Sequence, residues 1–496
     1  MNGNPMPNIS RRSFLVGSTA IPLALLTPVA GASKADELVY SSVASISKAI
    51  RSGRFTSQEV VKAYLDRIDA INPHINAVVT LVAEKALEEA RQADDELANG
   101  NLRGILHGVP MTIKDSFDTA GVVSTAGTLG RKSFVPQEDA TVVARLKAAG
   151  AILLGKTNTP EFTMSYDTRN LLFGFTKNPY DLSKSPGGSS GGAASIVASG
   201  GSPFDMGSDT GGSIRLPSSF CGVAGIKPTT GRMPLTGHII QTGLGAVDPL
   251  TQVGPIARFV DDLYPLLRIT AGPDGKDPAV IPVPLKHPGY VQLRGLRVAF
   301  HTDNGLQPAS GDVRRVVETA AAALKDAGCR VDEDAPPAAS RVHDLFTSLD
   351  AFGGYNWLKR LLKQSGTERW DPHIDWHRET RSYSGEEAGQ IIRDWQQARI
   401  DMTKWFSRFD ALVCPVHAKA SLPSGFEYDD EMIKGFSYTY VFNFTGWPGA
   451  VVRCGTSDDG MPVGVQIVAR PWREDIGLAV AKFLETSLGG WQSPSI

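Results

Sequence analysis

The sequence reads GGSSGG over residues 187–192 and GSDTGGSIRLP over residues 207–217, with a run of mainly small residues between them. Two serine-containing loops embedded in glycine predict that hydroxyl groups and bare backbone N–H groups converge on one point. Glycine lets the backbone approach a bound group closely and adopt dihedral angles that other residues avoid. Acyl transfer requires a nucleophile beside such N–H groups, because preorganised dipoles must hold the oxyanion of the tetrahedral intermediate. The stretch therefore predicts a nucleophilic serine.

A serine hydroxyl is a poor nucleophile until a base takes its proton, and the sequence offers a lysine for that task. No histidine lies near the stretch, whereas GVPMTIKDS over residues 108–116 places Lys114 after a short apolar run. A lysine acts as a base only when neutral, and lowering its pKa from about 10.4 to about 7–8 requires roughly 4 kcal/mol of environmental bias. Lys114 is therefore expected to be buried and to reach the nucleophile through a bridging hydroxyl, for which Ser189 is the candidate.

The whole pattern closely resembles the amidase signature family of serine hydrolases. The resemblance implies a triad in which Lys114 is the base, Ser189 is the bridging serine after a cis peptide bond, and Ser213 is the acyl-forming nucleophile. The separations between these three residues also agree with the family. The implied fold is α/β, with a large mixed β-sheet core sandwiched between layers of α-helices.

The resemblance further implies an oxyanion hole made from the backbone just before the nucleophile. Its donors would be the N–H groups of Thr210, Gly211 and Gly212. One position departs from the family pattern, since Asp205 stands where a small residue is usual. This departure puts no member of the triad in doubt and indicates a subgroup.

Three further polar residues are candidates for supporting roles at the site. Ser190 can support Lys114 through a hydrogen bond. Asp209 and Arg215 flank the nucleophile and are interpreted as a structural ion pair that shapes the loop rather than contacting substrate.

The apolar periodicity divides the chain into a helical beginning and an α/β remainder. Residues 40–99 read as helices, and from Leu106 short apolar runs alternate with helical patterns, which is typical of an α/β sheet. The family resemblance covers residues 40–488 and implies a single domain over residues 33–496. The expected strands are 109–113, 151–154, 295–300, 442–450 and 460–468, and the expected helices run from the Thr56 cap to Pro73 and over 82–97, 141–149, 313–327 and 474–488.

The segment 341–434 matches the family least and is interpreted as a variable helical segment that forms the substrate funnel. Five of the eight tryptophans lie in it, which leaves two interpretations open: core packing, or a binding wall for a bulky or aromatic group. His373 and His377 have a spacing found in metal sites, but no third ligand motif accompanies them. We therefore expect no metal and no cofactor.

The N-terminus carries the pattern of a twin-arginine signal peptide. The motif SRRSFL spans residues 10–15, a modest apolar run follows, and the small residues 30–32 fit a cleavage site near Ala32. Residues 1–32 are thus expected to direct a folded enzyme to the twin-arginine export machinery and into a bacterial periplasm.

Composition excludes several classes of partner. A net charge of −2 without a basic stretch argues against nucleic acid and against stable association with a membrane. Four cysteines without a CxxC motif give no sign of a disulfide framework or a zinc site. The expected partner is a small-molecule amide substrate, and the chain is expected to be a monomer or a homodimer.

Two motifs match other families in their letters but not in their context. Residues 150–157 fit the GxxxxGK[ST] pattern, yet they follow a predicted helix and contain a predicted strand, whereas a phosphate-binding loop follows a strand. Residues 187–191 fit the GxSxG nucleophile elbow, yet a loop rather than a strand precedes them. Neither nucleotide binding nor an α/β-hydrolase is therefore expected.

The expected reaction is hydrolysis of an amide C–N bond to a carboxylic acid and ammonia or an amine. The same triad would also serve a carbamate or aryl-ester hydrolase. A relative that feeds ammonia to charged tRNA shares the triad, but it works in the cytoplasm with partner subunits, which the export signal argues against. A periplasmic binding protein on an inactive amidase scaffold is the remaining alternative.

Overall fold

The computed structural model describes residues 34–245, 247–337, 339–351, 355–378 and 383–496. The predicted signal peptide, residues 1–32, lies outside these ranges. Across them, no helix combines the length and the hydrophobicity that a bilayer span requires.

The helices of the described residues are α1 Lys34–Val39, α2 Val43–Arg51, α3 Ser57–Ile75, α4 Ala83–Ala98, α5 Thr141–Ala148, α6 Gly191–Ala198, α7 Arg215–Phe220, α8 Val260–Thr270, α9 Gly311–Asp326, α10 Ala339–Ala351, α11 Asn356–Ser365, α12 Gly385–Phe406, α13 Asp430–Gly435, α14 Ser437–Thr445 and α15 Glu474–Leu488. Short 3₁₀ turns occur at Leu129–Arg131, Glu161–Thr163, Asp248–Leu250, Pro288–Tyr290 and Pro372–Arg378. The strands are β1 Val78–Leu81, β2 Pro110–Lys114, β3 Ile152–Thr157, β4 Arg169–Asn170, β5 Gly174–Phe175, β6 Phe204–Asp209, β7 Ala224–Lys227, β8 Gln252–Ala257, β9 Arg297–Phe300, β10 Arg330–Glu333, β11 Ala411–Pro415, β12 Gly449–Thr456 and β13 Pro462–Ala469.

Eight of the strands form one mixed sheet in the order β10-β9-β11-β13-β12-β7-β8-β6. The strands β10, β9 and β11 run parallel, and every neighbouring pair from β11 to β6 is antiparallel. A second sheet has the order β1-β3-β2, and β4 and β5 form a small hairpin. The predicted α/β fold with a large mixed sheet is confirmed.

Alternating apolar residues place a hydrophobic core on each face of the large sheet. On β11, Val413 belongs to the core cluster that contains residues of α8, α9 and α15, whereas Leu412 and Cys414 belong to the cluster formed with α7, α10, α12 and α14. The strand β12 alternates in the same way, with Val451 on the second face. Because successive side chains of a strand point to opposite faces, one strand sequence serves both helical layers.

The small sheet brings the end of β2 beside β6, which carries the second serine loop. The backbone N–H of Lys114, the last residue of β2, donates to Oδ1 of Asp205 on β6 at 3.0 Å. Upstream, α3 begins at a capping box in which Thr56 and Glu59 satisfy each other's backbone N–H groups. Buried apolar residues of α2, α3 and α4 share one core cluster with Met111 and Ile113 of β2, so the N-terminal helices pack on the sheet that contains Lys114.

The structure corrects several details of the sequence-based prediction. The helix α3 continues past Pro73 to Ile75, and Asn76 caps it in a left-handed conformation (φ 51°). Residues 442–445, predicted as strand, belong to α14, and the strand β12 begins only at Gly449. The described part of the segment 341–434 contains most of α10 together with α11 and α12, the last of which ends at Phe406, and then contributes β11 to the middle of the sheet. The predicted final helix has the bounds of α15.

We predict that a buried ion pair between α15 and the segment after β7 contributes strongly to stability. Glu474 binds the Arg232 guanidinium through both carboxylate oxygens, at 3.1 and 2.8 Å, and also accepts the N–H of Thr229. Replacing Glu474 with alanine leaves a buried charge unpaired, so the free energy of unfolding in urea should fall by about 3–5 kcal/mol.

The matched control is Asp66→Ala, which removes the same kind of group from the exposed Lys62–Asp66 pair. This change should lower the free energy of unfolding by less than about 1 kcal/mol. Equal losses in the two variants would contradict the prediction.

Candidate active site

The two glycine-rich loops meet where β2 and β6 end. Ser189 follows a cis peptide bond from Gly188, as the family resemblance predicted, and Ser190 directly precedes α6. A Cβ on Gly188 would lie 2.7–2.9 Å from the backbone of residues 165–167, so only glycine fits there. Ser213 lies between β6 and α7, and Gly212 before it has φ +137°, a conformation that favours glycine.

Lys114 is fully buried, and its amino group is surrounded by hydroxyls. Its Nζ lies 2.7 Å from Oγ of Ser189, 2.9 Å from Oγ of Ser190 and 2.9 Å from Oγ of Ser208. No carboxylate of the described residues lies within ion-pair distance of this nitrogen. The structure thus brings together the base and the bridging serine that the sequence predicted.

Burial lowers the pKa of Lys114 well below its ordinary value, although the charges of Asp209 and Asp205 oppose the shift. Removing an ammonium group from water disfavours its charged form, and three neutral hydroxyls compensate for this only in part. Burial therefore favours the neutral form of this amino group, which is the form that can accept a proton.

Ser213 is joined to the other serines through the backbone. Its carbonyl oxygen accepts the N–H of Ser190 at 3.2 Å, and the residue keeps 5% of its surface exposed. Its hydroxyl makes no hydrogen bond with any residue that the structure describes. Ser189 is 1% exposed, so its exposed fraction is intermediate between that of Ser213 and that of the fully buried Lys114.

The amides of the nucleophile loop are not equally available. The N–H of Gly212 donates to Oδ1 of Asp209 at 2.8 Å. The N–H groups of Thr210, Gly211 and Ser213 have no acceptor among the described residues. Of the three donors that the sequence analysis assigned to the oxyanion hole, Gly212 is thus engaged elsewhere, and the amide of Ser213 is an additional candidate.

Asp209 and Arg215 form the buried ion pair that the sequence predicted, and it organises the nucleophile loop. The guanidinium donates to both carboxylate oxygens at 2.9 Å, and the carboxylate also accepts the N–H groups of Gly212 and Ile214. Burial alone would raise the pKa of Asp209, but Arg215, Lys227 and Asn443 together hold it below its ordinary value.

Asp205 on β6 binds the backbone of Lys114 on β2. Its carboxylate accepts the hydroxyls of Thr112 and Thr157, at 2.6 and 3.0 Å, in addition to the N–H of Lys114. Burial raises the pKa of Asp205 to about 6, and these donors limit the rise. Asp205, the residue that departs from the family pattern, therefore helps to fix the backbone of Lys114, the candidate base.

Two residues at the site were missed by sequence reasoning. Ser208 touches Lys114, but one serine among several in the motif gave no separate signal. Tyr166 donates its hydroxyl to the carbonyl of Gly211 at 3.3 Å, and its ring stacks on Phe436 at 3.9 Å between centroids. It lies far from both loops in sequence, so only the fold brings it to the site.

Other side chains that the sequence singled out lie away from this chemistry. Lys156 of the GxxxxGK[ST] match is buried at the end of β3, where it donates to the carbonyl of Phe117. His373 binds Asp371, and the side chain of His377 lies outside the described residues. Within the part of the chain that is described, no group of three or more His, Cys, Asp or Glu residues is placed to hold a metal ion. The four cysteines are buried free thiols.

Comparison with known proteins establishes the family. The family model described as Amidase matches residues 59–477. The chain belongs to the amidase signature family. A glutamyl-tRNA(Gln) amidotransferase subunit of Heliobacterium modesticaldum is 35% identical over 468 residues, which cover 88% of this chain and 94% of that protein.

Solved structures of the family share the fold. A 6-aminohexanoate cyclic dimer hydrolase superposes with a TM-score of 0.80 at 28% identity, covering 91% of this chain and 97% of that one. A peptide amidase superposes with a TM-score of 0.80 at 28% identity, covering 92% and 99%. With relatives that are named as an amidotransferase, a hydrolase and an amidase, this member of the amidase signature family is an amidase-type enzyme.

We predict that arginine cannot replace lysine at position 114. Lys114→Arg keeps a cation, but a guanidinium stays protonated and cannot take a proton from Ser189. Labelling of Ser213 by a serine-directed phosphonate, followed by mass spectrometry at neutral pH, should slow by about 10²–10⁴-fold.

Lys177→Arg, a lysine-to-arginine change at another position, is the control and should label at the rate of the unsubstituted protein. Labelling of Lys114→Arg at that same rate would show that Lys114 is not the base.

Proposed function

We propose that the chain hydrolyses an amide C–N bond through an acyl-enzyme on Ser213, giving a carboxylic acid and ammonia or an amine. One observation carries the proposal: a fully buried lysine holds its amino group 2.7 Å from Oγ of Ser189, without a carboxylate partner among the described residues. Hydroxyl partners suit a lysine that cycles between its neutral and charged forms, because they accept from the ammonium group without fixing its charge.

The first half of the reaction forms the acyl-enzyme. Neutral Lys114 takes the proton of Ser189 while Ser189 takes that of Ser213, and the Ser213 oxygen bonds to the substrate carbonyl carbon. The backbone N–H groups of Thr210, Gly211 and Ser213 are the donors free to hold the resulting oxyanion. The C–N bond then breaks as the proton returns through Ser189 to the leaving nitrogen.

The second half releases the acid. Water loses a proton along the same path and attacks the ester carbon. The proton then returns to the Ser213 oxygen as the acyl–oxygen bond breaks. Each group ends in the state in which it began, and the proposed steps use only protein groups and water. Ping-pong kinetics follow from the covalent intermediate.

An aromatic surface beside the nucleophile loop supports a substrate with an apolar or aromatic group. Tyr166 is half-buried next to Gly211, stacks on Phe436 and is held by Tyr428, whose hydroxyl accepts the N–H of Tyr166 at 2.7 Å. Trp357 and Trp405 of the variable segment are instead buried in core clusters, which favours core packing as their role. A carbamate or aryl ester with such a group is the alternative substrate.

The curated relatives raise a second candidate, a component of a tRNA-dependent amidotransferase. The 35% identity over most of the chain favours it. The proposed twin-arginine signal in residues 1–32, with cleavage near Ala32 and a periplasmic location, favours a free-standing hydrolase, a monomer or a homodimer, that acts on a small-molecule amide. An inactive binding protein is the least favoured candidate, since the buried Lys114 and its hydroxyls are intact.

We predict product release from a panel of primary amides, anilides, carbamates and esters by the chain from Ser33 onward. Ser213→Ala is the blank and should lower kcat by at least about 10³-fold, since it removes the nucleophile. Ammonia from primary amides would identify a carboxamide hydrolase, and an aromatic amine or alcohol would identify an acylamidase or urethanase.

Full activity of Ser213→Ala would overturn the assignment. Turnover of glutamine only in the presence of added amidotransferase subunits would favour the second candidate. Failure of the unsubstituted chain to react with a phosphonate would favour a binding protein.

We predict that export depends on the arginine pair. The double substitution Arg11→Lys and Arg12→Lys keeps the charge but removes the motif, and the enzyme should remain in the cytoplasmic fraction of a bacterial host. The unsubstituted chain should appear in the periplasm and lose about 32 residues, as intact mass would show. Equal distribution of the two proteins would contradict the proposed signal.

A further inference from the structure

Lys114 has three hydroxyl neighbours, and the proposed mechanism uses only one of them. Ser189 carries the proton, which leaves Ser190 and Ser208, both at 2.9 Å from Nζ, without a step of their own. Both hydroxyls are buried in the same interior.

The hydroxyl of Ser190 is already engaged by the backbone. It donates to the carbonyl oxygen of Ser208 at 3.2 Å and accepts the N–H of Ser208 at 3.3 Å. The hydroxyl of Ser208 differs, since Lys114 is its only hydrogen-bond partner among the described residues. The contact with the Lys114 amino group is therefore the one polar interaction that the Ser208 hydroxyl makes with the described residues.

An ammonium group has three N–H donors, and the site offers one hydroxyl acceptor for each of them. Lys114 carries this charge each time it takes a proton from Ser189, in an interior without a carboxylate at ion-pair distance in the described chain. A buried N–H without an acceptor is costly, most of all on a charged group. All three acceptors are thus needed only in the charged state.

We propose that Ser208 is a positioning residue that stabilises the transient ammonium form of Lys114 by accepting its third N–H. The inference rests on the proposed function, because it assumes that Lys114 acts as the base. Ser208 contacts neither the substrate nor Ser213 in this role. It sets how readily Lys114 takes and returns the proton.

The charged and titratable groups around Lys114 act on it from several elements. Asp205 and Asp209 face it from β6, and Asp209 is paired with Arg215 of α7. His238 is buried and hydrogen-bonded to Ser116, and burial, with a smaller effect of the Lys114 charge, lowers the pKa of His238 to about 3. None of these groups binds the Ser208 hydroxyl, so a change at Ser208 leaves them in place.

The test is the pH dependence of kcat/KM for Ser208→Ala on a substrate found with the panel. The loss of one acceptor destabilises the ammonium, so the acidic limb should move by about one unit toward lower pH. The plateau of kcat should fall by about 10-fold because the base is weaker, while KM stays the same. Ser208→Thr keeps the hydroxyl and should restore the acidic limb.

Ser218→Ala is the matched control. Ser218 is a buried serine on α7 whose hydroxyl donates to the carbonyl of Ile214 and does not touch Lys114. The acidic limb of the pH profile of Ser218→Ala should coincide with that of the unsubstituted enzyme. A Ser208→Ala enzyme with an unchanged acidic limb would overturn this inference, whatever its thermal stability.

The outcomes separate this inference from the proposed function. An inactive Ser213→Ala together with an unshifted Ser208→Ala leaves the triad intact and rejects only the role of Ser208. An active Ser213→Ala rejects the proposed function, and the role of Ser208 falls with it. If Ser208→Thr does not fold, the shift of the acidic limb of Ser208→Ala relative to that of Ser218→Ala still tests the role of Ser208.

Discussion

The amino group of Lys114 is held in the protein interior without an ion-pair partner among the described residues, and the architecture around it follows from that constraint. A buried ammonium is costly, and a nearby carboxylate would remove the cost by fixing the charge. The fold instead surrounds Nζ with three hydroxyls, two from the first glycine-rich loop and one from β6. Hydroxyls accept from the charged form and tolerate the neutral one, so the lysine can alternate between them.

The two carboxylates near Lys114, those of Asp205 and Asp209, are paired with other groups, so the amino group keeps its hydroxyl partners. Asp209 is neutralised by two hydrogen bonds from Arg215, whose remaining N–H groups bind Thr439, Gln466 and Asn443. Asp205 binds the backbone of Lys114 and two threonine hydroxyls, and burial brings its pKa to about 6. Each carboxylate near the base thus has partners of its own, which fixes the strands and the nucleophile loop around an amino group that is free to react.

Sequence patterns predicted the parts of this site that carry distinctive local signals. The resemblance to the amidase signature family, carried by the glycine around Ser189 and Ser213 and the apolar run ending at Lys114, predicted that these three residues act together, and the structure places Lys114 beside Ser189. The alternation of short apolar runs with helical patterns predicted the α/β fold. The contribution of Ser208 was not predictable, because it depends on how far the Lys114 side chain extends across to β6. The strand β11 was missed within a mainly helical segment, since a short apolar run beside long helices carries little signal. The engagement of the Gly212 amide by Asp209 likewise depends on loop geometry, not composition.

The elements that hold the base are distinct from those that shape the space beside the nucleophile. Lys114 and its hydroxyls lie on β2, β6 and the first glycine-rich loop. Tyr166 instead packs with Phe436 and Tyr428 and against the core cluster of α10, α12 and α14. Two of those helices, α10 and α12, lie mostly in the segment 341–434, which the sequence analysis interpreted as a substrate funnel. Substitutions there can reshape the aromatic surface without altering a hydrogen bond to Lys114. In the proposed mechanism, the aromatic surface can therefore change while the hydrogen bonds to Lys114 are retained.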